Sequence, residues 1–232
     1  MEYEYVSKTE YRPVREELEQ IIRRAQKHLH DRGMTFQFRL IGSGGNHLIT
    51  RVKGGNKGFD FDYNLILQDR GEDGYDAKDV KEKFMDAFKI ALKGTKYKAP
   101  EDSTSVLTIK VVDTAHSRIV HSCDFAIIYY PESGMEGEYK YLLNHKDGRY
   151  SFETRTESKG LEQKLKAIKD YSGGWNLVRD EYLIVKNNNR DPDKRSCVLY
   201  IEAVNNVYNR ISRNSYPNCL LVVKNPYYRD RN

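Results

Sequence analysis

The sequence predicts an α+β fold: a mixed central sheet flanked by helices, followed by a helical C-terminal domain. Three observations carry this expectation. Helical apolar stripes and period-two strands alternate through residues 13–130. A strand bearing two acids, Phe59–Leu67, follows a glycine-rich stretch. Beyond residue 159 the apolar positions recur mainly at helical spacing.

Pro13 to Gly33 reads as the first helix, with Val14, Leu18, Ile21, Ile22, Ala25 and Leu29 as its stripe. Glu16, Glu17 and Glu19 stand early, Lys27, His28 and His30 late, and Gly33 ends it. Thr35 to Ile41 alternates, with Phe36, Phe38 and Leu40 on one face, and leads into the turn Gly42-Ser43-Gly44-Gly45. Residues 46–58 read as a polar, glycine-rich loop with some strand character at Leu48–Val52. Phe59–Leu67 is the second strand, and Asp69 to Asp76 a turn region. Lys78 to Leu92 is the second helix, carried by Val80, Phe84, Phe88 and Leu92. Val106–Val112 and Ile119–Tyr130 form an antiparallel hairpin. Residues 132–158, with Gly134, Gly137 and Gly148, read as a loop-rich connection. Three helices follow, marked by Leu161, Leu165 and Ile168, by Trp175, Val178, Tyr182 and Val185, and by Cys197, Ile201, Val204, Tyr208 and Ile211. A short strand-like run, Cys219–Val223, lies near the end. The expected organisation is a core at 1–131, the connection at 132–158 and a helical domain at 159–232.

Composition narrows the function classes. The 232 residues suffice for one good core or two small ones. Eighteen tyrosines and 12% aromatic residues do not belong to a disordered chain. No apolar run approaches the ~18 residues of a membrane helix, and the start Met1-Glu2-Tyr3-Glu4-Tyr5 is unlike a secretory leader. Cys123, Cys197 and Cys219 are widely spaced and form neither a disulfide framework nor a zinc pair, so a reducing, cytoplasmic setting is expected. The net charge of +5 suits a phosphate-rich ligand.

The chemistry-bearing residues stand in two strands. On a strand, Asp60 and Asp62 share a face, and two anions so close repel unless a cation lies between them. A divalent metal, Mg²⁺ or Mn²⁺, explains the pair, because such ions are held by one or two carboxylates together with substrate phosphates. A solvated acidic edge strand is the plain alternative, against which the flanking Leu65, Ile66 and Leu67 argue. Asp124 stands directly before the apolar run Phe125-Ala126-Ile127-Ile128 of a predicted strand, where an aspartate is unfavourable unless partnered. If its strand neighbours Phe59–Leu67, the three carboxylates converge; otherwise Asp124 is a structural residue capping a loop or pairing with Arg118. His47, His116 and His121 lack metal-ligand spacing with a cysteine and read as surface or packing residues.

With these residues the chain resembles the nucleotidyltransferases of the DNA polymerase β-like superfamily. Their pattern is a hydrophobic residue, Gly and then Gly or Ser, a loop, Asp-hydrophobic-Asp/Glu-hydrophobic, and a third carboxylate on a later strand. It stands here as Ile41-Gly42-Ser43, Asp60-Phe61-Asp62-Tyr63 and Asp124, across roughly residues 14–130. The resemblance implies a catalytic core at 1–131 and the family's variable second domain after it. It implies Asp60 and Asp62 as ligands of both metals, Asp124 as ligand of the metal that activates the acceptor, and Gly42 and Ser43 as the clasp on a triphosphate. The implied reaction is Mg²⁺-dependent transfer of a nucleoside monophosphate from ATP or another nucleoside triphosphate to an acceptor hydroxyl on RNA, protein, nucleotide or small molecule, releasing pyrophosphate. The alternatives are an inert nucleotide- or RNA-binding module on the same scaffold and a metal-dependent nuclease. The interval from Ser43 to Asp60 is longer than in compact members and carries Arg51, Lys53 and Lys57, cations with the reach for phosphate. That length is similar to the synthases of cyclic dinucleotides and oligoadenylates, beside which the chain is short.

Overall fold

In the computed structural model of the protein, the structure describes residues 2–68, 74–157, 160–191 and 194–215. The chain divides into two compact units, residues 1–158 and 159–232. The expected run Cys219–Val223 and most of the turn region after Asp69 lie outside the described residues.

The first unit is built on a mixed sheet. Its spine is a pair of parallel strands, β4 (Phe59–Leu67) and β7 (Arg118–Tyr129). β2 (Phe36–Ile41) lies antiparallel along the other edge of β4. β6 (Leu107–Asp113) pairs antiparallel with the first part of β7, and β5 (Glu101–Asp102) pairs with β6. A separate ribbon joins β1 (Tyr3–Tyr5) to β3 (Thr50–Val52). The predicted hairpin of the two later strands is present, and the fold is α+β as expected.

Strict alternation sorts the sheet's faces. Phe59, Phe61, Tyr63, Leu65 and Leu67 of β4 and His121, Cys123, Phe125 and Ile127 of β7 are buried. Two helices share this core: α1 (Lys8–His30) and α3 (Ala77–Ala91). Leu18, Ile21, Ile22, Ala25 and Leu29 of α1 are fully buried. Phe84 packs on Phe36 with ring centres 5.1 Å apart, and Phe88 on Phe125 at 4.6 Å. Each such side chain contributes roughly 1.5–3 kcal/mol on leaving water.

α1 begins earlier than the expected Pro13. Ser7 caps it, its hydroxyl accepting from the Glu10 amide at 3.3 Å, and Pro13 sits inside the helix. Proline at a first helical position is the commoner pattern, which is why it read as the start. Here Tyr11, two residues before it, is buried in the core and holds the first turn to the unit.

The stretch 132–158 is not the loop-rich connection expected. It holds a hairpin, β8 (Glu138–Asn144) and β9 (Tyr150–Thr156), and β8 extends the sheet beside the end of β7 through Ile128 and Tyr129. The polar cluster at its root explains its placement. Lys81 of α3, only 2% exposed, lies 2.9 Å from Asp102 Oδ1 and donates to the Val106 carbonyl at 3.2 Å. Asn144 and Tyr150 donate to Asp102 Oδ2 at 2.8 and 2.7 Å. Burial lowers the Lys81 pKa, while the Asp102 pair opposes that. Asp102→Ala leaves this ammonium buried with one carbonyl, and we expect a loss of about 2 kcal/mol in urea unfolding, with Lys81→Met costing less. Equal losses in the two variants would refute this account of the hairpin's anchor.

The second unit holds α4 (Leu161–Asp170), α5 (Gly174–Asn188) and α6 (Ser196–Ser215). Ile168, Val178, Val204, Val207 and Ile211 form its small core. All three expected helices are found. Among the described residues no helix is long and apolar enough to cross a membrane.

Candidate active site

The face of the sheet opposite the buried one gathers the acids. Asp62 stands beside Asp124 across the parallel β4–β7 ladder, and Asp60 stands beside Ser122. Neighbouring strands lie about 4.8 Å apart, and residues two positions along one strand about 6.7 Å. Asp60 and Asp62 follow the same-face rule, and the register brings Asp124 to their side. Asp60 is exposed, while Asp62 and Asp124 are half-buried.

The glycine turn reaches the same spot. Ile41, the last residue of β2, pairs with Asp62. The chain then turns into a single helical turn, α2 (Gly42–Gly45). Gly42 has φ +59°, and a Cβ there would lie 2.8 Å from Asp62 Oδ2. Only a glycine both adopts this backbone freely and leaves room for that carboxylate. Ser43 follows directly, its carbonyl accepting from the Leu48 amide at 2.8 Å. Tyr11 of α1 fixes the far side of the turn, its hydroxyl 3.0 Å from His47 Nδ1. Gly42 thus lies against Asp62, and Ser43 is the next residue of the turn.

Electrostatics distinguish the three carboxylates. Burial, then the charges of Asp124 and Asp60, push Asp62 up to about 6. Asp124 is also raised, by burial and by Asp60, against a hydrogen bond from Thr108 that favours its charged form. Thr108 Oγ1 donates to Asp124 Oδ1 at 2.6 Å, and Ser122 Oγ donates to Asp60 Oδ1. Asp62 receives no hydrogen bond among the described residues. Arg118, the alternative partner for Asp124, pairs instead with Asp113 at 3.1 Å.

Among the described residues, no group of three or more His, Cys, Asp or Glu side chains is drawn together tightly enough to hold an ion as it stands. The donor set still fits a hard divalent cation. All its donors are carboxylate oxygens, the ligands Mg²⁺ and Mn²⁺ prefer. Burial, then the charges of Asp124 and Asp60, raise the Asp62 carboxyl, and a cation among the three acids would favour its charged form.

Two of the three basic residues of the preceding loop are engaged by acids outside the site. Arg51 pairs with Glu4 at 2.7 Å and Glu10 at 2.5 Å, and Lys53 with Glu2 at 3.5 Å. Arg51 and Lys53 thereby tie the β1–β3 ribbon together, and Arg51 reaches α1 as well. His121 is a packing residue, buried and 2.9 Å from the Tyr97 hydroxyl, with burial holding it down to about 4. His116 pairs with Asp113 at the surface. Thr108 and Ser122 were not legible as site residues, since neither contact exists before the register of β4, β7 and β6 is known.

No protein-family model matches the sequence, and no curated protein matches it. Solved structures do. A STING-associated CdnE c-di-GMP synthase from Capnocytophaga granulosa aligns with a TM-score of 0.57 at 17% identity, over 93% of this chain and 64% of that one. Vibrio cholerae DncV in its GTP-bound form aligns with a TM-score of 0.53 at 17% identity, over 88% of this chain and 52% of that one. Escherichia coli DncV bound to 3'-deoxy GTP gives 0.53 at 15% identity, over 88% and 54%. The fold is that of the polymerase β-like nucleotidyltransferases. The chain spans between about half and two-thirds of the length of these structures, in line with its shortness beside cyclic dinucleotide synthases.

Proposed function

We propose that the protein is a metal-dependent nucleotidyltransferase, moving a nucleoside monophosphate from a nucleoside triphosphate to an acceptor hydroxyl. The observation that supports this reading above others is the in-register pair Asp62–Asp124 on adjacent parallel strands, with Asp60 on the same face and Gly42 against Asp62. Asp60, Asp62 and Asp124 would hold the cation, Mg²⁺ or Mn²⁺, and Gly42 and Ser43 would contact the triphosphate. When bound, the cation supplies neutralisation of the phosphate charge and lowers the pKa of the acceptor hydroxyl.

The chain's own residues set the rest. The acceptor oxygen bonds to the α-phosphorus, the bond from that phosphorus to the bridging oxygen breaks, and pyrophosphate leaves. Asp124, beside Asp62 on the neighbouring strand, is the carboxylate placed to take the acceptor's proton. The sheet carries the three acids on one face, so that drawing their carboxylates onto the cation would align the reacting groups.

A second nucleotide is the acceptor we favour, because the fold neighbours are named as synthases of c-di-GMP and of cyclic AMP-GMP. The test incubates purified protein with each α-labelled triphosphate and Mg²⁺ or Mn²⁺, alone and with total RNA and protein. A labelled product formed from triphosphates alone, with pyrophosphate release lost in Asp62→Asn, is the expected result. Label on RNA or protein would replace the acceptor. RNA degradation without triphosphate would replace the reaction by a nuclease, and the absence of any product would overturn the proposal.

A further inference from the structure

We infer that Thr108 is a positioning residue for the cation site: it holds Asp124 in its ligating orientation through its hydroxyl. The inference rests on the metal-dependent reading above and deepens it. Thr108 of β6 stands in register with Asp124 of β7, on the same face. Its Oγ1 donates to Asp124 Oδ1 at 2.6 Å, the short distance of a bond to a charged acceptor.

The hydroxyl's only proton is used in that bond. The Ser103 hydroxyl, 3.3 Å from Thr108 Oγ1, therefore points its own proton at Thr108. The direction is fixed from Ser103 through Thr108 to Asp124. A β-branched threonine on a strand has a stiff χ1, so the donor does not wander. One oxygen of Asp124 is occupied by this bond, and the other is left for a cation. Asp60 has a hydroxyl of its own in Ser122. The Asp62 carboxylate has no such hydroxyl among the described residues. β6 thus serves the site without contributing an acid to it.

Thr108→Val keeps the shape and removes the donor, and Thr108→Ser keeps the donor. Isothermal titration of each variant with Mn²⁺ alone, beside wild type and Asp124→Asn, reads the effect without any turnover. The expected result is Mn²⁺ affinity about tenfold weaker in Thr108→Val and within about twofold of wild type in Thr108→Ser. In activity assays the half-saturating Mg²⁺ concentration rises in Thr108→Val while KM for the triphosphate holds. Unchanged Mn²⁺ affinity in a folded Thr108→Val, with Asp124→Asn impaired, overturns the role of Thr108 alone. Equal impairment of Thr108→Ser and Thr108→Val overturns it too, since the hydroxyl would then not be what matters. Unchanged affinity in Asp124→Asn overturns the metal reading and this inference together. If Thr108→Val does not fold, Ser103→Ala removes only the upstream donor and must weaken Mn²⁺ binding in the same direction.

Discussion

Asp62→Asn is expected to abolish nucleotidyl transfer, by a factor of about a thousand or more, while making the metal-free protein more stable at pH 8. The two effects share one cause. Asp62 is half-buried between Asp60 and Asp124, and its carboxyl is pushed from 3.8 up to about 6. The folded state therefore holds the Asp62 proton more tightly than the unfolded chain does. A raised carboxyl pKa stabilises the fold fully below the unfolded value, near 4, and that stability is lost as pH rises through about 6. Through Asp62 alone, the metal-free wild type by pH 8 has lost up to about 3 kcal/mol of what that group contributes in acid. Asparagine carries no such charge. Melting curves in EDTA should place Asp62→Asn several degrees above wild type at pH 8 and close to it near pH 4. Added Mg²⁺ or Mn²⁺ should raise the wild-type melting temperature and leave the variant's unchanged. A variant that melts below wild type at pH 8 in EDTA, or one that retains activity, contradicts this account of the site.

The acidic strand illustrates how one pattern serves two ends. Phe59, Phe61, Tyr63, Leu65 and Leu67 bind β4 to the core, and the alternate positions present Asp60 and Asp62. No core residue need change for the acids to be placed, and none of the acids contributes to the core. The cost is repulsion on one face, which burial of the other face offsets. Charge removal at Asp62 should therefore stabilise the fold while it destroys the chemistry.

Much of this was legible in the sequence because it depends on short-range periodicity. Asp60 and Asp62 two positions apart, the stripe Leu18–Ile21–Ile22–Ala25–Leu29, and the helical spacing after residue 160 each follow from local geometry. The convergence of Asp124 was a conditional expectation, since strand order is not written in any single segment. The parallel pairing of β4 and β7 is what puts Asp124 beside Asp62. The β8–β9 hairpin escaped because Glu138–Asn144 and Tyr150–Thr156 are rich in polar residues, and Gly134, Gly137 and Gly148 carry the stronger local signal. What secures it is a long-range cluster, Lys81 with Asp102, Asn144 and Tyr150, brought together from four separate elements. The cations Arg51 and Lys53 misled for a like reason: their partners Glu4, Glu10 and Glu2 lie more than 40 positions away.

Gly58→Ala is expected to be the most damaging single methyl the first unit can receive outside its core. Gly58 precedes β4 directly, has φ +62°, and lies so close to β7 that a Cβ would meet the Val120 carbonyl oxygen at 2.1 Å and its carbon at 2.6 Å. Backbone cannot swing aside as a side chain can. The neighbouring bond from the Ile119 amide to the Asn56 carbonyl, 2.8 Å, holds the two chains together at this point. Left-handed backbone adds about 1 kcal/mol for alanine, and forcing the strands apart adds more, so the total should reach about 3 kcal/mol or beyond. For a unit of this size that is a fall of roughly 6–12 °C in melting temperature. Asp60 is two residues on, and any parting of β4 from β7 separates Asp60 and Asp62 from Asp124. Activity should therefore fall further than the loss of folded protein explains, and Mn²⁺ affinity should fall with it at temperatures where the variant is fully folded. Gly54, where a Cβ would meet nothing within 4 Å although φ is +67°, is the control. Gly54→Ala should show the backbone cost alone, with Mn²⁺ affinity intact. If the two alanine variants behave alike, the close approach of β4 to β7 is not what sets the geometry of the acids.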